Sequence, residues 1–317
     1  MEPFRLRNET RRRPAVKPAP RQRQLQLLSG LDCLAGQQDL IDVDGPAGGD
    51  EEPDAVKAKP IISGTREWAV ENVNIILGCP HKCRYCYARA NALRFGKIKR
   101  SEEWGDTYHR LRADQARRPR RLVDGQVMFP TTHDITPEHL GPCLETIERI
   151  LAPGNRLLIV SKPHLECIEA ICHRFSGERI LFRFSIGSAD NSILSYWEPG
   201  APSFDERLTS LVLAHTLDFR TSVSAEPLLD ADNVGRLVEQ VRPYVTDSIW
   251  IGKMNRIRNR VVPGTSLAEI ERIEAGQTDE AVRGVYRLLA DDPLIRWKES
   301  YKQVLGLDLA TVAGQDR

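Results

Sequence analysis

The sequence predicts an α/β fold, a partial (β/α)6 TIM-like barrel, and three observations carry that expectation. Six short apolar runs recur between residues 73 and 251. A helical pattern separates each run from the next, which is the signature of parallel strands joined by helical crossovers. Most of the runs are apolar on both faces, as strands covered on both sides should be. Six units are too few for the closed eight-stranded barrel but suit an open six-stranded one.

In chain order, residues 1–56 come first and are expected to form a disordered tail. Arg11, Arg12 and Arg13 open a stretch rich in Pro, Arg and Gln, and Asp44 to Asp54 is rich in Gly, Asp and Glu. Neither stretch carries enough apolar surface to offset its ordering entropy. The core is expected over 57–255. Its strands are Val73 to Leu77, Gln126 to Phe129, Leu157 to Val160, Ile180 to Ser185, Arg220 to Ala225 and Ser248 to Ile251. Helices are expected from near Tyr87, Pro137, Pro163, Ser203 and Asn233. Residues 256–317 read as a helical extension packing on the core, with Ala281 to Ala290 and Trp297 to Leu305 as its caps.

The chain of 317 residues has a formal net charge of +1, so any preference for nucleic acid must come from local patches. Seven cysteines, an odd number, without a secretory signal pattern fit a reducing cytoplasm rather than a disulfide-stapled fold. No membrane contact is expected. One basic patch is conspicuous. Between the first helix and the second strand lie Lys97, Lys99, Arg100, Arg110, Arg112, Arg117, Arg118, Arg120 and Arg121. It reads either as a solvated charged linker or as a surface for phosphates, with Trp104 and Tyr108 either stacking on bases or anchoring the segment.

Three cysteines after the first strand carry the chemistry. Cys79, Cys83 and Cys86 are spaced by four and three residues, whereas Cys33, Cys143, Cys167 and Cys172 are scattered. A [4Fe–4S] cluster normally takes four cysteine thiolates, so three leave one iron open. Two other readings fit the same residues. Zinc accepts Cys3His sites, and His81 lies inside the run, although no second C-x-x-C is present. Alternatively, a nucleic-acid-binding protein carries the cluster as a structural element.

The run Gly78-Cys79-Pro-His-Lys-Cys83-Arg-Tyr85-Cys86-Tyr87 resembles the radical SAM signature, and within it the spore photoproduct lyase family and its DNA-repair-photolyase-like relatives. Ser161-Lys162 resembles that family's T-K. Ser185, Glu198-Pro199, Pro202-Ser203 and Arg207-Leu208 follow its pattern from the fourth strand into the next helix. The resemblance covers roughly Val73 to Ala225.

It implies a [4Fe–4S] cluster on Cys79, Cys83 and Cys86, with S-adenosylmethionine on the open iron. Tyr85 is then expected near the adenine, and Thr132, His133 or Asp134 near the methionine amine. Lys162 or Arg207 is expected to meet the carboxylate, Arg207 having a pairing with Glu198 as its structural alternative. Ser185 is expected at the ribose or methionine, and Tyr87 is the expected radical relay. Arg256 and Arg258 are expected at the barrel mouth as substrate contacts for an anion such as DNA or RNA. Glu226, after the fifth strand, is a further candidate. The implied activity is reductive cleavage of S-adenosylmethionine followed by hydrogen-atom abstraction, with flavodoxin or ferredoxin as electron donor. One departure matters. The family's hydrogen-donor cysteine corresponds here to Thr131, whose O–H bond is too strong for that role.

Overall fold

A computed structural model describes residues 61–316. The tail expected over residues 1–56 lies outside the described residues. The predicted strands are largely present, and the sheet gains one more. β1 (Glu71–Asn72), β4 (Gln126–Phe129), β5 (Arg156–Ser161), β6 (Ile180–Ser185), β7 (Arg220–Ala225), β8 (Ile249–Ile251) and β9 (Ile295–Trp297) form a seven-stranded sheet in that order. Every pairing in it is parallel. Parallel neighbours need a crossover between them, and helices supply it throughout. The mixed α/β class and the partial TIM-like barrel expected from the sequence are the architecture found.

Two differences have local causes. The run Val73 to Leu77 is not one strand. Pairing with β4 stops at Asn72, apart from the Val73 amide, because the next two residues bond elsewhere. Asn74 Oδ1 accepts the amides of Thr131 and Thr132 at 2.8 Å each, and the Ile75 amide donates to His133 Nε2 at 3.1 Å. The chain therefore turns away, and β2 (Ile76–Leu77) pairs antiparallel with β3 (Arg110–Leu111) from the basic insertion. The seventh strand, β9, lies in the extension expected to be helical and overlaps its Trp297 to Leu305 cap only at Trp297. Only Glu299–Leu305 of that cap is helical.

Alternation along the strands creates two buried faces. Leu157 and Ile159 of β5 pack outward with Phe182 and Phe184 of β6 beneath the covering helices. Leu158, Leu181 and Met128 point inward and meet Trp68 and Trp250. The two indoles cross edge to face at 5.4 Å, and the fully buried Arg183 guanidinium lies 4.5 Å and 5.1 Å from their rings. The interior at this level is packed rather than open. Sheet edges β1 and β9 are bridged by a buried ion pair, Lys298 Nζ to Glu67 Oε1 at 2.8 Å, from the turn preceding β1.

Among the described residues, no helix is long and apolar enough to cross a membrane. Cys143, Cys167 and Cys172 sit on the outer helices, where burial pushes each thiol up to about 12. These are the inert thiols of an apolar core.

Candidate active site

The C-terminal ends of the parallel strands carry the polar residues of the site. Cys79 and Cys83 lie in the loop after β2, and Cys86 caps the helix Tyr87–Arg94. Cys79 and Cys83 are buried, and Cys86 is half-buried. Tight packing fixes this loop. Gly78 has φ +83°, and a Cβ there would run into the Tyr108 carbonyl oxygen. At Gly105, also at φ +83°, a Cβ would run into the Cys79 carbonyl oxygen. The insertion is thus the wall behind the cysteines. Trp104, buried to 4% exposure, joins Cys79, Ala88, Ala92 and Ile98 in one cluster and stacks on Tyr108 at 6.0 Å. Of the two roles open to Trp104, anchoring is the one observed.

The three thiols face a low-dielectric pocket together. Burial raises the Cys79 pKa well above the ordinary thiol range, and Asp134, Cys83 and Cys86 push it further. Burial raises Cys83 to about 12, against the pull of Lys162. Cys79 and Cys83, raised by burial and by their neighbouring thiols, are poised to lose protons only to a cation or a metal centre. Two cations flank them. Lys162, half-buried at the end of β5, is pulled down by burial but held well above the ordinary lysine range by Cys83, Tyr85, Asp134 and Glu198. Arg89 is buried and donates to the carbonyls of Cys83, Arg84 and Arg260 at 2.6–2.8 Å. Burial pulls its pKa down and Cys86 and Cys83 oppose it. The donor set therefore fits an anionic thiolate-bound cluster.

Asp134 organises the floor of the site. Its Oδ1 accepts the Lys162 amide at 2.7 Å and the Ser161 hydroxyl at 2.9 Å. Its Oδ2 meets His81 Nδ1 at 2.9 Å and Cys79 Sγ at 3.6 Å. Burial alone would raise this carboxyl, but His81 and Lys162 outweigh it and hold it well below the usual range. His81 continues through Nε2 to His164 Nε2 at 2.9 Å. Cys79, His81 and Asp134 thus offer three donor atoms within 4.8 Å, the arrangement a zinc ion would use. Both His81 nitrogens are already engaged, however, and Cys83 and Cys86 would be left out.

The other expected residues separate into available and engaged groups. Tyr85 donates its hydroxyl to Glu198 Oε1 and presents its ring 5.9 Å from Lys162 Nζ. Arg207 is fully buried and pairs with Glu198 Oε2 at 2.6 Å, while also donating to Pro202 and Ser185 carbonyls. It is the structural link of its two expected roles. Asp134 is likewise engaged within the protein, whereas Thr132 and Ser185 stay half-buried at strand ends. Tyr87 donates to the Thr131 carbonyl at 2.7 Å, and the Thr131 hydroxyl accepts from Asn74 at 2.6 Å. Arg258 makes a two-pronged pair with Glu274 at 2.6–2.7 Å, so it is a surface link rather than an uncommitted substrate contact. Arg256 caps the short helix Ile257–Arg260 at φ 55°. Glu226 lies 3.5 Å from Lys298, with burial raising its pKa despite that cation. Asn74 and His164 were missed in the sequence. His81 is expected there only as a zinc ligand, and Glu198 as the structural partner of Arg207, which is the pairing found.

No family model matches the chain. Among curated proteins it is 26% identical over 183 residues to the uncharacterized protein ORF301 of Acidianus two-tailed virus. That match covers 55% of this chain and 60% of the relative, so the chain spans less than two thirds of the relative's length. Among solved structures, spore photoproduct lyase complexed with dinucleoside spore photoproduct is 17% identical with a TM-score of 0.50, covering 76% of this chain and 79% of that one. A cysteine-to-serine variant of spore photoproduct lyase is 18% identical, with the same TM-score of 0.50 and the same coverage of 76% and 79%. At the level of fold, these likenesses bear out the resemblance read from the cysteine run and the Ser185 to Arg207 stretch.

Proposed function

We propose that this chain is a radical SAM enzyme, in which Cys79, Cys83 and Cys86 hold a [4Fe–4S] cluster and S-adenosylmethionine takes the open iron. One observation carries the proposal: the buried Cys79 and Cys83 and the half-buried Cys86 share one loop beside Lys162 and Arg89 at the strand ends of a partial barrel. When bound, the cluster and cofactor supply one-electron cleavage to a 5′-deoxyadenosyl radical, which removes a hydrogen atom from substrate. The protein's contribution is binding, orientation and exclusion of solvent.

Asp134 fixes the Lys162 backbone and, through His81, the cysteine loop. Lys162 then offers its ammonium to the methionine carboxylate. Glu198, held by Arg207, orients Tyr85 as a flat wall for the adenine. Thr132 and Ser185 supply polar contacts to the methionine and ribose. Tyr87 is held beside residue 131 by its bond to the Thr131 carbonyl.

We take the substrate to be a nucleic acid, with an electron donor of the flavodoxin or ferredoxin kind, in the cytoplasm. A solved structure of similar fold carries a dinucleoside photoproduct, and the insertion wall exposes Lys99, Arg100, Arg110 and Arg117. Repair of that photoproduct is not proposed, because Thr131 stands where the family's hydrogen-donor cysteine is expected.

The test is anaerobic reconstitution with iron and sulfide, followed by dithionite and S-adenosylmethionine. The expected result is 5′-deoxyadenosine above a Cys83→Ala control. Iron binding with salt-dependent DNA affinity but no 5′-deoxyadenosine would replace the proposal with a structural cluster. Zinc in place of iron would replace it with the Cys79, His81 and Asp134 site.

A further inference from the structure

A second donor cluster lies apart from the cysteine loop. His109 immediately precedes β3 in the insertion, and Glu138 and His139 end the turn that leads into the helix Leu140–Leu151. His109 Nδ1 is 3.1 Å from Glu138 Oε2, and His139 Nε2 is 3.9 Å from Glu138 Oε1. The two imidazole rings meet edge to face with centroids 5.0 Å apart. One donor atom from each of the three residues falls within 4.8 Å of the other two.

Hydrogen bonding does not account for this arrangement. The His109 side chain is only 6% exposed, and His139 Nε2, the atom that faces Glu138, is buried with no hydrogen-bond partner among the described residues. A buried ring nitrogen without a partner loses its hydration and gains nothing in return. Burial, with His139 acting in the same direction, lowers the His109 pKa against the pull of Glu138. That favours the neutral imidazole, the form that binds metal.

We propose that His109, Glu138 and His139 bind a single zinc ion. Two imidazoles and a carboxylate, without thiolate, form a donor set suited to zinc, and three protein ligands leave one position for water. Zinc–ligand bonds of about 2.0–2.1 Å place neighbouring tetrahedral donors ~3.3 Å apart. His109 Nδ1 meets Glu138 Oε2 at 3.1 Å and His139 Nε2 meets Glu138 Oε1 at 3.9 Å, and the Glu138 side chain, 61% exposed, has room to turn one oxygen toward both rings. The ion would join the insertion to the segment carrying His133 and Asp134. Both elements contact the Cys79 loop, so the ion would fix the wall of the active site without entering it.

The test uses the untagged full-length chain, reconstituted anaerobically, incubated with zinc sulfate and desalted. Iron and zinc content read the two sites separately, and zinc K-edge absorption identifies the ligands. The expected result is equimolar zinc beside retained iron, with nitrogen and oxygen scatterers at about 2.0–2.1 Å and no sulfur near ~2.3 Å. His109→Ala and His139→Ala should each weaken zinc affinity at least ~10-fold while iron content stays unchanged. Failure to retain zinc would overturn the proposal, as would sulfur-ligated zinc that displaces iron and persists in both variants. The wild-type spectrum decides the matter even if a variant does not fold.

Discussion

The Arg207 guanidinium lies 2.6 Å from the Glu198 carboxylate with both side chains excluded from solvent, and Glu198 in turn receives the Tyr85 hydroxyl. A chain of buried contacts therefore runs from the helix Phe204–Thr216 to the aromatic wall of the site. Burial alone would raise the Glu198 pKa, but Arg207 and Lys162 bring it below the usual value. Removing one partner leaves a buried charge uncompensated, which costs about 3–5 kcal/mol. Arg207→Met should lower unfolding stability by that amount in urea melts at neutral pH. Glu198→Gln with Arg207→Met should cost clearly less than the sum of the single changes. Strict additivity would mean that the pair is not coupled. The depressed Glu198 pKa adds stability above the ordinary glutamate range, which is lost as pH falls through the folded value.

His133 gives the acid response a different sign of origin. Its Nε2 accepts the Ile75 amide and its Nδ1 donates to the Asp134 carbonyl, so the neutral ring is fully used. Burial lowers its pKa to about 4. Between about pH 6.5 and pH 4 the unfolded chain takes up a proton that the folded chain refuses, so stability falls as pH falls. The loss is about 3 kcal/mol over that window. His133→Gln should be less stable at pH 7 but should show a shallower slope between pH 6.5 and pH 4. An unchanged slope in denaturant titrations at successive pH values would refute this assignment.

Much of the site was legible because its chemistry is clustered in sequence. Cys79, Cys83 and Cys86 occupy eight consecutive residues, and Lys162 and Ser185 end apolar strands whose pattern places them at one rim. Asn74 and His164 were not legible, since their partners are far away in the chain. Asn74 bonds backbone amides 57 and 58 residues on, and His164 meets His81 across 83 residues. Such pairings leave no local periodicity. The same holds for β9, three residues with the exposed Arg296 at their centre, which the neighbouring β8 makes a strand. The Val73 to Leu77 run misled for the opposite reason. Val73, Ile75 and Ile76 are buried as a strand's residues would be, but past Val73 the Asn74 side chain accepts the loop amides of Thr131 and Thr132 and the His133 ring accepts the Ile75 amide, which ends the pairing with β4.

Lys162 is expected to act on cofactor affinity rather than on cluster binding. Its amide is tied to Asp134, so the backbone stays in place when the side chain is changed. A hydrogen bond to a charged group is worth about 1.5–3 kcal/mol, or ~10–100-fold in affinity. Lys162→Met should weaken S-adenosylmethionine binding by that factor in anaerobic calorimetry, with iron content retained. Lys162→Arg should recover part of the loss through a longer cation. Iron loss in Lys162→Met would instead show that the ammonium stabilises the thiolates.

The insertion's role as a wall can be tested at two glycines that share a backbone conformation and differ in surroundings. Gly78 has φ +83° and Gly96 has φ +64°, so alanine at either position carries the left-handed penalty of about 1–2 kcal/mol. Around Gly96 there is nothing for a Cβ to meet within 4 Å. At Gly78 the Cβ collides with the Tyr108 carbonyl, a backbone atom that can move only if the stacked Trp104 and Tyr108 move with it. Gly96→Ala should therefore lose only that penalty and reconstitute with normal iron content. Gly78→Ala should lose more stability and also bind less iron per chain, because displacing Tyr108 also shifts Gly105 against the Cys79 carbonyl. Equal iron content in the two variants would mean that the cysteine loop holds its shape without the insertion.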